Sequence, residues 1–367
     1  MDILYGVVGE GMGHATRSRV VLGHLLDGGH QVRVVVSGKA HSFLRDELAP
    51  YGDRAQVEEI HGLSFQVDGN RIDKSETLSA NLEALPGGLK KNIKAYFKLI
   101  DSGFQPEVVF SDFETWAYLY GLNHRLPVVS LDNMQIINRC EHEDDVTSLR
   151  SASFLLAKNI VKMKMPGAWH YLVTSFFFPP IRKRRTTLIP PILRPEILSA
   201  SRDPGEHVLI YLKAEAAEAT LPLLAQLSST PFKVYGTGRT GRQGNVELCP
   251  FSGQGFVDDL RTARAVVAAA GFSLMGEAVH LQVPMLALPI KGQYEQTLNA
   301  LYLEKLGYGQ CHESTLTVDV ISSFLSQTER HQSALAGYTP QSNEMLFECL
   351  DKIVRLIGLD EPAPDTL

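Results

Sequence analysis

The stretch Ala265-Val-Val-Ala-Ala-Ala-Gly271-Phe-Ser-Leu-Met-Gly-Glu277-Ala-Val-His280 decides how this chain is read. Six small or β-branched apolar residues feed directly into a glycine, and helix-forming residues follow. So short an apolar run, closed by glycine, reads as a strand buried on both faces. The helix that opens after it leaves its first amides without partners inside the helix. Those of Ser273 and Leu274, aligned with the helix dipole and reached through Gly271, would hold a phosphate. Glu277 follows one turn later, placed to accept hydrogen bonds from a ribose. Farther on, Val283-Pro-Met-Leu-Ala-Leu-Pro289 reads as the next strand. Gln293-Tyr-Glu295-Gln296-Thr-Leu-Asn299 opens the next helix.

The same alternation runs through the whole chain. Strands are expected at Ile3–Val8, Val32–Val36, Val108–Phe110, Val128–Leu131 and Tyr171–Thr174, with a helix from Arg17 to Leu26 ended by Gly28-Gly29. A proline-rich break, Leu188-Ile-Pro190-Pro-Ile-Leu-Arg194-Pro195, reads as a stiff connector. Beyond it the pattern restarts with strands at His207–Leu212, Phe232–Tyr235, Val246–Leu248, Ala265–Ala270 and Pro284–Leu288, and a helix around Leu221–Leu227. This predicts an α/β protein of two doubly wound, Rossmann-like domains facing across a cleft. The expected domains are residues 1–190 and 196–340, with 341–367 forming a helix that packs back on the first.

The 367 residues, 44% hydrophobic and 21% charged, fit a soluble two-domain protein. No apolar run is long enough to span a bilayer, and the start lacks the features of a signal peptide, so a cytoplasmic location is expected. Four scattered cysteines read as reduced thiols. The net charge of −6 hides an asymmetry: Ser151–Ala200 carries +7, leaving −13 elsewhere. A local basic patch on an acidic chain points to an anionic partner, but the acidic balance argues against nucleic acid.

Val8-Gly9-Glu10-Gly11-Met12-Gly13-His14 joins the first strand to the first helix. A dinucleotide fingerprint would need glycine at position 14, and the second strand ends without the acid that holds a ribose. The glycines instead let a substrate approach the backbone, with Gly11 and Gly13 on the acceptor side. His14 stands at a helix start, where the dipole keeps an imidazole neutral and basic. Asp112 ends a later strand and would orient it, or else cap the following helix. Glu114 is a weaker stand-in, and Asp132-Asn133 would line the acceptor side.

Gly255-Phe-Val257-Asp258-Asp259-Leu260, taken with the opening stretch, resembles the peptidoglycan transferase that adds N-acetylglucosamine to lipid I, and the UDP-glycosyltransferases more broadly. The resemblance implies the GT-B fold and a glycosyltransferase (hexosyltransferase) activity. It implies that the Val257 backbone reads a uracil and that the amides of Ser273 and Leu274 hold the diphosphate. It also puts Glu277 on the ribose, Glu295 and Gln296 on the sugar, and Asn299 behind them. A His–Asp dyad would act as the base. Gly9 to Arg17, Ser111–Glu114 and Phe176–Pro180 match a less characterised group of microbial members. The pair Glu295-Gln296 departs from the Gln-Gln or Asp-Gln of relatives, which leaves the sugar open.

The expected reaction is inverting transfer of a hexose from a UDP-sugar to a hydroxyl acceptor, with a lipid or another membrane-associated molecule among the candidates. No cofactor is expected beyond the UDP-sugar co-substrate, and no metal. The chain has no Asp-x-Asp, and Asp258-Asp259 reads as a helix start. An epimerase acting on UDP-N-acetylglucosamine, or a non-catalytic sugar-nucleotide-binding subunit, are the other readings. Leu89, Ile93, Tyr96, Phe97 and Ile100 share one helical face and Lys90, Lys94 and Lys98 another. That pattern reads as a domain helix with a solvated lysine face, or as one lying on an anionic bilayer. Phe176–Phe178 reads as the continuation of a strand. With the basic segment beside it, it makes peripheral attachment to the cytoplasmic face of a membrane an open option.

Overall fold

The computed structural model of the chain describes residues 1–9, 11–62, 67–68, 71–72, 74–147 and 151–367. Glu10, in the glycine-rich turn, lies outside the described residues. The chain divides into two compact units. One comprises Met1–Gln66, Asp73–Ile192 and Ser342–Leu367; the other comprises Leu193–Gln341 with Val67–Ile72.

The first unit runs β1 (Asp2–Val7), α1 (Met12–Asp27), β2 (Gln31–Val36), α2 (Lys39–Leu48) and β3 (Ala55–Glu59). After the short pair β4 (Val67–Asp68) and β5 (Arg71–Ile72) come α3 (Lys74–Asp101), β6 (Val108–Asp112), α4 (Thr115–Asn123) and β7 (Val128–Asp132). Helices α5 (Ile136–Arg139), α6 (Asp144–Thr147) and α7 (Ser151–Lys164) lead to β8 (His170–Thr174) and β9 (Thr186–Ile189). The second unit runs α8 (Pro195–Leu198), β10 (Val208–Tyr211), α9 (Ala214–Gln226), β11 (Phe232–Tyr235), β12 (Gly241–Gln243) and β13 (Val246–Leu248). It continues with α10 (Gly253–Thr262), β14 (Ala265–Ala269), α11 (Phe272–His280), β15 (Met285–Leu288), α12 (Tyr294–Lys305), β16 (Gly309–Cys311), α13 (Val318–Ser326) and α14 (Thr328–Leu335). The last helix, α15 (Glu344–Gly358), returns to the first unit.

Each unit is built on a seven-stranded sheet. The orders are β3-β2-β1-β6-β7-β8-β9 and β12-β13-β11-β10-β14-β15-β16. Within these two sheets all pairings are parallel except β12 with β13. In each sheet the strand order reverses beside the first strand of the unit, between β1 and β6 and between β10 and β14. Ligands of doubly wound sheets bind at the carboxyl ends of strands at such a switch point. The stretch read first, β14 followed by α11, stands at one of them, and the glycine-rich turn stands at the other.

The core of the first unit forms where α1, α2 and α15 cover one face of its sheet. Leu346, Leu350 and Ile353 of α15 are buried among Leu22, Leu25 and Val32. One close approach and one left-handed glycine fix the turn after β1. A Cβ on Gly9 would stand 2.0 Å from the Ser37 carbonyl oxygen, and Gly11 caps α1 with φ of 84°. So one of the three glycines serves internal packing, not substrate approach.

Two local expectations are corrected, and a reading left open is narrowed. Phe176–Phe178 does not extend β8, which ends at Thr174; Phe176 and Phe177 are buried in a loop and Phe178 is exposed. Asp258 and Asp259 do not begin a helix. They sit inside α10, which starts at Gly253 with Ser252 as its cap. The apolar stripe of α3 faces outward: Leu89, Ile93, Phe97 and Ile100 are exposed, while Ala95 and Leu99 turn inward.

Ile353→Ala should test the closing helix. Removing a fully buried aliphatic side chain from α15 should cost roughly 2–5 kcal/mol. Urea unfolding followed by far-UV circular dichroism measures it, and a loss well under 1 kcal/mol would mean that α15 is not part of the core.

Candidate active site

In the first unit, the end of β6 lies beside the end of β1, with Asp112 in register with Val7. Asp112 has no exposed surface. Its carboxylate is gripped from α1: Arg17 Nε donates to Oδ2 at 2.8 Å, Arg17 Nη2 donates to Oδ1, and Ser18 Oγ donates to Oδ2 at 3.2 Å. His14 stands one turn before Arg17, and its Nδ1 is 2.9 Å from Asp112 Oδ1 and 2.8 Å from Arg17 Nη2. A guanidinium can only donate, so two tautomers fit. With Nδ1 protonated, His14 donates to Asp112; with Nδ1 bare, it accepts from Arg17.

The charges follow from this packing. Burial alone would raise the Asp112 carboxyl, but the Arg17 guanidinium overrides it, with help from His14, and holds Asp112 below the ordinary carboxylate range. His14 is lowered, first by burial and then by the cations of Arg17 and Lys164, against the pull of Asp112. At neutral pH it is therefore an uncharged imidazole beside a carboxylate.

Asn133 and Asp132 complete the cluster. Asn133 Oδ1 accepts from Arg17 Nη1 at 3.0 Å, so Asn133 helps seat the guanidinium. Asp132 is fully buried, accepts from Ser130 Oγ at 2.7 Å and from the Gln135 amide at 2.8 Å, and is pushed up to about 6 by burial. Glu114, the weaker stand-in for Asp112, is engaged by its own helix. Its two carboxylate oxygens accept from the Trp116 amide at 2.9 Å and the Ala117 amide at 2.6 Å, capping α4. The capping role weighed for Asp112 thus falls to Glu114. Between them Phe113 takes a left-handed conformation, φ 55°, and the Lys164 ammonium lies 3.8 Å from its ring centroid. Gly11 is exposed and Gly13 half-buried at the start of α1, on the side of His14.

In the second unit, Gly271 precedes α11, so Ser273 and Leu274 occupy its second and third positions, where amides have no helical partner. Glu277 is buried and already engaged. Arg194, from the proline-rich segment, donates to it twice, Nε to Oε1 at 2.7 Å and Nη2 to Oε2 at 2.9 Å. Each carboxylate oxygen keeps a further lone pair. Glu295 Oε1 accepts from Asn299 Nδ2 at 2.6 Å. Gln296 is turned back on the preceding loop, where Oε1 accepts from the Ile290 amide at 3.1 Å and Nε2 donates to Gln293 Oε1 at 2.5 Å.

Val257 differs from expectation. It is the fifth residue of α10 and fully buried, so its amide and carbonyl lie within the helical ladder. The main-chain groups left over at that end belong to Gly253 and Gln254. The Gly255 amide is taken by Ser252 Oγ at 3.3 Å. Sequence reading gave no role in the site to Arg17 or Arg194. The signal for Arg17 was present, because residues three apart on a helix share a face. Arg194 lay hidden in a segment read only as a connector.

The family model described as Glycosyl transferase family 1 matches residues 1–328. The chain belongs to that family. It is a glycosyltransferase, with a nucleotide-sugar donor and an acceptor as its substrates. A relative described as an uncharacterized glycosyltransferase of Methanosarcina mazei is 25% identical over 362 residues, 88% of each chain. The UDP-N-acetylglucosamine--N-acetylmuramyl-(pentapeptide) pyrophosphoryl-undecaprenol N-acetylglucosamine transferase 1 of Bacillus thuringiensis is 27% identical over 125 residues, 32% of this chain and 35% of that one. Among solved structures, a UDP-glucosyltransferase from Polygonum tinctorium matches with a TM-score of 0.65 at 14% identity, covering 97% of this chain and 98% of its own. That likeness shows the fold: two Rossmann-like α/β units, the GT-B architecture of this glycosyltransferase.

Asp132 provides a measurable marker of the cluster. Its folded pKa of about 6 exceeds the ordinary carboxyl value, so the folded state holds the extra proton at mildly acidic pH. Its contribution is full below about pH 4 and is lost as pH rises through 6, at most roughly 3 kcal/mol. Asp132→Asn should remove that dependence and make the protein more stable than wild type at pH 7.5. Equal urea midpoints for the two proteins at pH 7.5 would count against a raised pKa at Asp132.

Proposed function

We propose that this glycosyltransferase moves a hexose from a UDP-sugar to a hydroxyl acceptor with inversion at the anomeric carbon. The observation that carries the reading is the buried Arg17–Asp112–His14 cluster at the switch point of the first unit. Inversion needs one base to take the acceptor proton as the oxygen attacks. His14 fills that role when Nδ1–H donates to Asp112, which leaves the Nε2 lone pair for the acceptor. Asp112 fixes this tautomer and stabilises the imidazolium formed on proton transfer. Arg17 acts through both. Its fixed positive charge adds to burial in keeping His14 neutral at physiological pH, and its fork holds Asp112 in place.

The second unit would hold the donor. The amides of Ser273 and Leu274 and the dipole of α11 match a diphosphate, whose charge grows as it leaves. Glu277, oriented by Arg194, offers its outward lone pairs to the ribose. Main-chain groups at the start of α10, from Gly253 and Gln254, would read the base in place of Val257. Glu295, braced by Asn299, would accept from sugar hydroxyls. Gln296 would reach the sugar by exchanging its contact with Gln293. The names of the Bacillus transferase and the Polygonum enzyme both carry a UDP-linked donor, which supports UDP among the possible nucleotides.

Purified chain supplied with UDP-sugars and hydroxyl acceptors should release UDP. His14→Ala should lower turnover by roughly two to four orders of magnitude while leaving UDP binding in calorimetry unchanged. Wild-type turnover in that variant would remove His14 from the mechanism. Thermal-shift screening should show stabilisation by UDP-sugars over GDP- and dTDP-sugars.

Arg17→Met should move the acidic limb of kcat/KM upward, because Asp112 then raises His14 against burial and Lys164 alone. Arg17→Lys, which keeps the charge, should move it less. A limb that does not move would leave Arg17 with a purely structural role.

A further inference from the structure

The outward side of α7 is apolar, and none of the described residues covers it. Leu156, Ile160 and Met163 are 58, 54 and 78% exposed. Their spacing places them on one stripe, with Lys162 along one border and Lys164 along the other. Val161 and Met165 are buried, so α7 is seated on the unit by its opposite side. Ile181, 40% exposed, is held nearby by its bridge to Cys140, next to α5. Lys183 Nζ donates to Asn138 Oδ1 at 2.5 Å.

The cations here are crowded. Burial, and then the charges of Arg139, Arg182, Lys162 and Lys158, push the Lys183 ammonium down to about 8. Among the described residues neither Lys158 nor Lys162 has a carboxylate partner. The acids Glu141, Glu143, Asp144 and Asp145 precede the helix, where His142 meets Phe154 with ring centroids 5.8 Å apart. Positive charge is thus concentrated beside an exposed apolar stripe.

We propose that α7 and the Ile181–Lys183 loop form the surface by which the first unit docks on an anionic lipid bilayer. Leu156, Ile160 and Met163 would enter the interface, and Lys162, Arg182 and Lys183 would face the headgroups. Either signal alone binds weakly, and here they share one surface. Lys164, at the end of the same helix, rests on the Phe113 ring beside Asp112. Docking through α7 therefore brings the His14–Asp112 cluster to the bilayer, within reach of a hydroxyl carried on a lipid. The inference deepens the acceptor half of the function proposed above and rests on it. The other apolar stripe, on α3, is a poorer match to an anionic surface. Its Lys91 is paired with Glu59 at 2.7 Å, and its Lys98 is paired with Glu58.

The test is co-sedimentation of the full chain with vesicles of phosphatidylcholine alone, and of phosphatidylcholine with phosphatidylglycerol at roughly two to one. The chain should pellet with the mixed vesicles, and several-fold less with the neutral ones or at high salt. Leu156→Ser with Ile160→Ser and Met163→Ser, and separately Lys162→Glu with Arg182→Glu, should each cut the bound fraction by about fivefold or more. UDP release with a water-soluble acceptor should stay at the wild-type rate in both. Undiminished binding by these variants would overturn the proposal, as would loss of binding only on Ile93→Ser with Phe97→Ser in α3. So would a wild-type chain that ignores vesicles but self-associates through α7 in light scattering. Vesicle binding and UDP release are read separately: intact binding without UDP release condemns the transfer reading and leaves the docking surface standing.

Discussion

A carboxylate with no exposed surface must be paired, and Asp112 is paired twice. Arg17 grips it with two nitrogens and His14 approaches the same oxygen from one turn earlier on α1. Losing one partner from such a cluster typically costs several kcal/mol, because the remaining charge stays buried. The ion pair therefore locks α1 against β6, across the point where the strand order of the first sheet reverses. The position of His14, the seating of Asn133 and the sharp turn at Phe113 all follow from that lock. The turn sends Asp112 one way and Glu114 the other, so one serves the site and the other serves its helix.

The second unit repeats the logic with different residues. Glu277 is buried at its own switch point and is held by the fork of Arg194. In both units an arginine orients a carboxylate whose outward lone pairs, or whose histidine neighbour, face the open end of the sheet. The arginine is preorganised before any substrate arrives, so binding need not order it. This is how a rigid parallel sheet can carry adaptable chemistry. The strands set where the groups stand, and a few buried ion pairs set which way they point.

Much of this was legible in the sequence. Strand β14 and helix α11 were readable because a short apolar run before glycine has few alternatives, and His14 stood out in a loop of glycines. The missing parts have physical reasons. Strand β9 hid beside Pro190 and Pro191, whose extended preference does not distinguish an edge strand from a connector. The helix holding Val257 was read as starting only at Asp258, because glycines at 253 and 255 mask the start of α10, whose cap is Ser252. The outward turn of Leu89, Ile93 and Phe97 was unreadable, because periodicity gives a face but not the direction in which it points. The pairing of Arg17 with Asp112 spans 95 positions, and no local pattern encodes it.

The return of α15 to the first unit has a consequence for how the protein is made. Leu346, Leu350 and Ile353 complete a hydrophobic core whose other members are synthesised some hundreds of residues earlier. On the ribosome the second unit, contiguous apart from a short hairpin, has all its strands before the first unit has its last helix. The apolar side of α1 must wait uncovered until α15 emerges. During that interval the nascent first unit is exposed to aggregation and to chaperones, and premature termination near residue 340 would leave it open permanently.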